Sequence, residues 1–182
     1  MKKLTLSILT ILFCLTSNIG WSAKVENKWT VEVDNDLKMV FASVNGLKNH
    51  GDRLTIQFSK QSKCAIGNAV TTMLTLKNNP NLLNLRNRKV SSTFNDVELT
   101  PTIVSARKLS YANILFLDLG LNKPENIKKF FADKKTVSLI LLNSENFKIT
   151  DYLYNRELEN SWSLNGLERA LDDAQQECRK LR

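Results

Sequence analysis

The stretch that decides the fold is Leu54-Thr55-Ile56-Gln57-Phe58, in which apolar and polar side chains alternate strictly. Successive side chains of a β-strand point to opposite faces, so this period of two predicts a strand with one buried face. Further short apolar or alternating segments occur at residues 29–33, 39–44, 69–76, 89–94, 97–99, 103–106, 114–119 and 136–142. Many short strands at about ten-residue spacing predict a mainly β domain, either a β-sandwich or a barrel-like fold.

Two helices are predicted to accompany the strands. The first begins at residues 122–125, Asn-Lys-Pro-Glu, where Asn can cap the helix and Pro suits its first turn. The second follows Asn165, a predicted cap, and closes the domain as a C-terminal amphipathic helix. Its apolar stripe consists of Leu167, Ala170, Leu171, Ala174 and Cys178. The apolar face of the first helix consists of Ile127, Phe130 and Phe131.

The N-terminal segment has the layout of a secretory signal peptide. Lys2 and Lys3 precede an apolar run, residues 4–15, and small and polar residues follow. We predict a signal peptide over residues 1–23, cleaved after Ser22 or Ala23. An uncleaved anchor is the alternative, but a run of about 12 residues is shorter than the roughly 20 that span a bilayer. The mature part, residues 24–182, is then one β-rich domain, periplasmic or secreted, without a stable membrane span.

Two cysteines remain beyond the signal peptide, Cys64 and Cys178. In an oxidising compartment an even number predicts a disulfide, and two cysteines allow only one pairing. A zinc site or a catalytic thiol is the alternative, but the chain has a single histidine, His50, and no Cys-x-x-Cys motif. We therefore predict a structural disulfide between Cys64 and Cys178.

The chain is basic, with a formal net charge of +8, which falls to +6 when Lys2 and Lys3 leave with the signal peptide. Such an excess favours anionic partners such as phospholipid headgroups, polyanions and acidic proteins. The densest cluster consists of Lys77, Arg86, Arg88 and Lys89. A solvated, mildly basic surface is the alternative. The cluster lacks neighbouring aromatic residues on which bases would stack, and this argues against nucleic acid.

No arrangement of residues points to catalysis, and neither a metal nor a cofactor is expected. His50 would need Asp52 or Asp36 as an orienting acid, yet no nucleophile motif such as Gly-x-Ser-x-Gly accompanies it. Acids between residues 151 and 159 are compatible with a glycosidase-like pair, but solvated loop acids explain them better. Ligand spacings typical of metal sites and Gly-rich phosphate loops are absent from the sequence.

Two tyrosines give the candidate interaction surface. Residues 147–154 are predicted to form an edge strand, on which Tyr152 and Tyr154 share one face. Tyrosine is enriched where proteins bind each other, although packing at the rim of the core is the alternative. We group Tyr152 and Tyr154 with Arg86 and Arg88 as candidate binding residues. Trp162 alternates with polar neighbours and is predicted to point into the core.

The tail reads Trp162-Ser-Leu-Asn-Gly-Leu-Glu-Arg-Ala-Leu171 and is followed by Cys178. Together with the signal peptide and the many short strands, it resembles the small exported β-sandwich proteins of the invasion-associated locus B type and related periplasmic families. The resemblance implies an envelope or secreted protein that works by contact, and it carries no catalytic residues.

We therefore expect an exported, non-enzymatic binding or envelope-interaction protein. Its partner would be another envelope protein, a host protein or an anionic envelope surface. The alternative is a periplasmic enzyme inhibitor or an accessory subunit of a secretion or conjugation machine. A hydrolase whose site has no recognisable motif is a third hypothesis.

Overall fold

The structure is a computed structural model that describes residues 27–121, 127 and 130–181. Its described strands form two antiparallel sheets, six-stranded in the order β1-β2-β3-β4-β8-β7 and four-stranded in the order β10-β9-β5-β6. The strands are β1 Thr30–Asp34, β2 Met39–Asn45, β3 Arg53–Ser59, β4 Ile66–Thr75, β5 Ser91–Phe94, β6 Val97–Leu99, β7 Thr102–Lys108, β8 Asn113–Asp118, β9 Thr136–Leu142 and β10 Glu159–Ser163. Neither sheet closes on itself, so the predicted barrel is wrong. The prediction of a mainly β, sandwich-like fold of two sheets is confirmed.

The strict alternation at residues 54–58 has the predicted consequence. In β3, Leu54, Ile56 and Phe58 are fully buried, while the residues between them are half-buried. In β9, Val137, Leu139 and Leu141 are buried in the same way on the second sheet. All six side chains belong to one apolar core. Burial of alternate side chains from both sheets therefore holds the domain together.

One helix, α1 Leu167–Lys180, closes the described part of the domain, as predicted. It packs against β1, β2 and β3 with its buried stripe, in which Leu171 is only partly buried. The predicted cap is wrong: the N-cap is Gly166, whose left-handed φ of 84° favours glycine, and Asn165 precedes it. The start of the other predicted helix, residues 122–125, lies outside the described residues, as does the predicted signal peptide. Ile127, Phe130 and Phe131 are helical and buried.

The predicted disulfide is confirmed. Cys64, in the turn after β3, is bonded to Cys178 near the end of α1, and their Cα atoms lie 5.7 Å apart. Two hydrogen bonds hold the same region: Gln175 donates to the Cys64 carbonyl at 3.0 Å, and Lys60 donates to the Leu181 carbonyl at 2.7 Å. The C-terminal helix is therefore fastened to the first third of the domain both covalently and by hydrogen bonds.

The predicted edge strand at residues 147–154 is wrong. Two short 3-10 helices, Ile149–Asp151 and Asn155–Glu157, occupy the segment from 149 to 157. Ile149 and Leu153 are buried, but Asp151, which would lie between them on the same face of a strand, is exposed. Among the described residues, no helix is long and apolar enough to cross a membrane.

Candidate functional site

The loop that carries three of the clustered cations is fixed to strand β7. The amide of Asn87 donates to the Ile103 carbonyl at 2.7 Å, and the amide of Ile103 donates to the Arg88 carbonyl at 2.8 Å. The preceding 3-10 helix, Leu82–Leu85, buries both of its terminal leucines. The exposed side chains of Arg86, Arg88 and Lys89 therefore project from a backbone that is held in place.

A turn at residues 144–147 faces this loop. Ser144 and Phe147 exchange backbone hydrogen bonds of 2.9 and 3.3 Å. The Phe147 ring stacks on Tyr152, with centroids 5.6 Å apart and an angle of 26° between the planes. The guanidinium carbon of Arg88 lies 5.2 Å from the Phe147 centroid, which is within the range of a cation–π contact. Arg88 and Tyr152 therefore both contact the Phe147 ring, and the three side chains form one continuous group.

An open cleft of about 400 Å³ lies between the loop and the turn. It is lined by residues 84 and 86–89 on one side and by residues 144, 146 and 147 on the other. Three of these eight residues are cations, three are asparagines and none is a carboxylate. The nearest acid in the sequence is Glu145, at the tip of the turn, and it does not line the cleft. The cleft is therefore positively charged and rich in hydrogen-bond donors.

A second aromatic–cation group lies beside the first. Lys77 and Arg156 approach the Tyr154 ring to 5.7 and 5.8 Å, and the ammonium of Lys77 also donates to the Thr150 carbonyl. Lys77 thereby connects Tyr154 with the turn that leads to Tyr152. We define the basic–aromatic surface as Lys77, Arg86, Arg88, Lys89, Phe147, Tyr152, Tyr154 and Arg156.

The buried carboxylate of Glu157 fixes the backbone at Tyr154. Glu157 accepts hydrogen bonds from the amides of Tyr154, at 2.8 Å, and Leu76, at 3.3 Å. The side chains of these two residues remain accessible, since Tyr154 is 44% and Leu76 60% exposed. An exposed tyrosine and leucine on a backbone fixed by a shared carboxylate offer a small, rigid apolar area next to two cations.

The predicted binding residues are thus close in space, but in a different arrangement. Arg88 and Tyr152 meet through Phe147, which the sequence analysis did not select, whereas Tyr152 and Tyr154 do not share a strand face. The basic cluster has aromatic neighbours after all, which corrects the expectation from the sequence. They come from the distant segment 147–154, and no spacing within residues 77–89 signals that contact.

The His50 and Asp52 side chains do not form a catalytic pair. The imidazole Nδ1 of His50 lies 3.1 Å from the Gly46 carbonyl. The Asp52 carboxylate accepts instead from the amide of Leu74, at 2.6 Å, and from the side-chain amide of Asn160, at 2.8 Å. Because Asp52 is fully buried, loss of hydration raises its pKa from 3.8 to about 6, although both hydrogen bonds oppose the shift.

Asp52 and Asn160 instead connect the two sheets. Asn160, in β10, is fully buried and accepts from the amides of Lys48 and Ser161, while it donates to the Asn49 carbonyl. The loop between β2 and β3 is thereby attached to the second sheet. Among the acids between residues 151 and 159, Glu157 accepts hydrogen bonds from backbone amides and Glu159 forms an ion pair with Lys48. The described residues contain no group of three or more potential metal ligands.

Comparison with family models, with curated proteins and with solved structures found no match for this chain.

Proposed function

We propose that this protein is an exported, non-enzymatic binding protein that engages an acidic partner through the basic–aromatic surface. The observation that carries the proposal is the surplus of positive charge at that surface. Within the described residues, none of the ion pairs involves Lys77, Arg86, Arg88 or Lys89. Elsewhere on the domain, cations such as Lys48 and Arg53 are paired with glutamates. Unneutralised cations in one place favour a partner of opposite charge.

The aromatic rings beside the cations favour a surface that binds a partner over one that only contacts solvent. Tyrosine and arginine are the residues that most often dominate binding energy at protein interfaces. A side chain already held against a ring loses less conformational freedom on binding, so more of its interaction energy is retained. Arg88 on Phe147, and Lys77 and Arg156 beside Tyr154, meet this condition.

Export is the second part of the proposal. It is supported by the signal-peptide layout of residues 1–23 and by the resemblance of the tail to exported proteins of the invasion-associated locus B type. A disulfide between buried cysteines is also typical of oxidising compartments outside the cytosol. A single stoichiometric protein partner, as for an inhibitor or accessory subunit, is the second candidate, favoured by the exposed Tyr154 and Leu76.

The test is in-cell crosslinking of the tagged mature protein, followed by purification and mass spectrometry. We compare the wild type with Arg88→Glu and with a matched control, Arg107→Glu. Arg107 is also exposed and lies 5.3 Å from a ring, that of Phe116, but it stands near the far end of β7. Thermal unfolding of each variant checks that the fold is intact.

We expect partners that are recovered with the wild type and with Arg107→Glu but are lost with Arg88→Glu. One dominant protein would favour the inhibitor or accessory-subunit version, whereas several acidic envelope components would favour general envelope binding. Equal recovery with both variants would show that the basic–aromatic surface is not the binding surface.

A further inference from the structure

The cleft between residues 84–89 and 144–147 is lined by cations and asparagines, which suit the binding of an anionic chemical group. We propose that it binds a phosphate-type oxyanion carried by the ligand. The inference rests on the proposed function, because it names the chemistry that part of the same surface recognises. It goes further in assigning a small-group site to Arg86, Arg88 and Lys89, distinct from the exposed apolar area at Tyr154.

The donors of the cleft suit a phosphate better than a carboxylate. Two guanidinium groups and one ammonium carry hydrogen-bond donors and no acceptor, and Asn84, Asn87 and Asn146 add amide donors. A phosphate monoester offers three terminal oxygens and up to two negative charges, so it uses more of these donors than a carboxylate with two oxygens and one charge. Charge-assisted bonds of this kind are about twice as strong as neutral ones.

The ring contact of Arg88 leaves its hydrogen-bond donors available. Its guanidinium carbon lies 5.2 Å from the Phe147 centroid, and none of the ion pairs in the described part of the chain uses its five N–H groups. The Arg88 carbonyl accepts a hydrogen bond from the Ile103 amide, and the Phe147 ring that contacts Arg88 stacks on Tyr152. The guanidinium donors of Arg88 are therefore held in place before any ligand binds. Preorganised donors lose little freedom on binding.

The volume sets the size of the ligand. A cleft of about 400 Å³ lies in the range of small-molecule sites, so it has room for a phosphate and part of the glycerol or sugar that carries it. The same chemistry has two sources, a soluble phosphate monoester and the phosphomonoester headgroup of phosphatidic acid. In both cases the phosphate is the recognised group, and the experiment separates the two.

The first arm titrates the mature protein with glycerol 3-phosphate in a calorimeter. The second arm measures co-sedimentation with vesicles that contain phosphatidic acid, with phosphatidylcholine vesicles as the neutral reference. Both arms use the wild type, the double variant Arg86→Gln and Arg88→Gln, and the control Arg107→Gln. Glutamine keeps much of the side-chain length and removes the charge, and circular dichroism confirms that each variant is folded.

We expect binding in at least one arm, and that arm identifies the source of the phosphate. The double variant should bind roughly a hundredfold more weakly, since loss of each charged hydrogen-bonding group costs about a factor of ten or more. The control should bind like the wild type. No binding in either arm, or equal binding by the double variant, would overturn the proposal. A crosslinked partner that still requires Arg88 would then leave the proposed function standing without the phosphate site.

Discussion

The buried Asp52 carboxylate makes stability depend on pH in a direction opposite to that of most carboxylates. Its pKa is about 6 in the native protein, against 3.8 for an unperturbed aspartate. Between these values the native protein holds the Asp52 proton more tightly than the unfolded chain does. The free energy of unfolding therefore falls as the pH rises through this window. A difference of this size amounts to about 3 kcal/mol in total, of which about 2 kcal/mol is lost between pH 4.5 and pH 7.

The perturbation that isolates this effect is Asp52→Asn. Both carboxylate oxygens accept hydrogen bonds, one from Leu74 and one from Asn160, so the new amide places a donor against a donor. That cost is the same at every pH. The variant should therefore be less stable than the wild type, and its stability should lack the decline of about 2 kcal/mol, so the gap between the two proteins narrows as the pH rises.

The assay is urea unfolding of both proteins at several values from pH 4.5 to pH 7.5. Asp36→Asn is the control, because Asp36 is exposed and its substitution should leave the pH profile of the wild type unchanged. A constant gap between the wild type and Asp52→Asn across this range would refute the argument. A gap that widens with pH would show that the hydrogen bonds outweigh the loss of hydration and that the native pKa is lowered.

Three further predictions test other parts of the structure. Cys64→Ala and Cys178→Ala should each lower the free energy of unfolding by about 4–5 kcal/mol, because the bridge joins residues 114 positions apart. The double variant should be no less stable than either single variant. Additive losses in urea unfolding would contradict a shared bridge. Gly46→Ala should cost about 1–3 kcal/mol, because a Cβ would overlap both the Asn160 side-chain amide and the Asn49 backbone carbonyl. Gly120→Ala, with φ of 69° and open space, should cost about 1–2 kcal/mol from backbone strain alone. Both should be measured by thermal unfolding. Asn160→Ala should remove only part of the Gly46→Ala penalty, because the Asn49 carbonyl stays in place, and an unchanged penalty would contradict the overlap with Asn160. The intact mass of the protein purified from its native cells should lack the first 22 or 23 residues, and a full-length mass would contradict the signal peptide.

The strands were predictable where one face of a sheet is buried and the other is not. Residues 97–99 and 136–142 form strands with the predicted bounds, and residues 54–58 lie within the longer β3. In β3 and β9 the buried side chains alternate, so burial on a sheet face accounts for these two strands. In β6, Val97 and Glu98 are exposed and Leu99 is only partly buried, so burial does not account for that strand. The segment 147–154 failed because its apolar residues are not strictly alternate: Ile149 and Leu153 are buried across helical turns, and Tyr152 packs against Phe147.

The candidate site was predictable only in its charges. Arg86 and Arg88 are close in the sequence, so their joint positive field needed no knowledge of the fold. The ring that orders Arg88 belongs to Phe147, in another part of the chain, and only the packing of residues 144–147 beside the loop brings the two together. The Asp52–Asn160 contact could not be predicted for the same reason. An aspartate in a polar loop is usually exposed, and nothing in its neighbouring residues indicates that it is buried.

The position of the Cys64–Cys178 bridge has a consequence for the order of events during biosynthesis. Strands β4 to β10 all lie between the two cysteines, so a chain made from its N-terminus presents Cys178 only after every described strand has been synthesised. Cys64 remains an unpaired thiol throughout that interval. The disulfide therefore cannot constrain the chain while the strands are being synthesised, and it forms at the earliest after β10 has been made. An oxidant that acts too early would find in Cys64 a thiol with no native partner, open to capture by another chain.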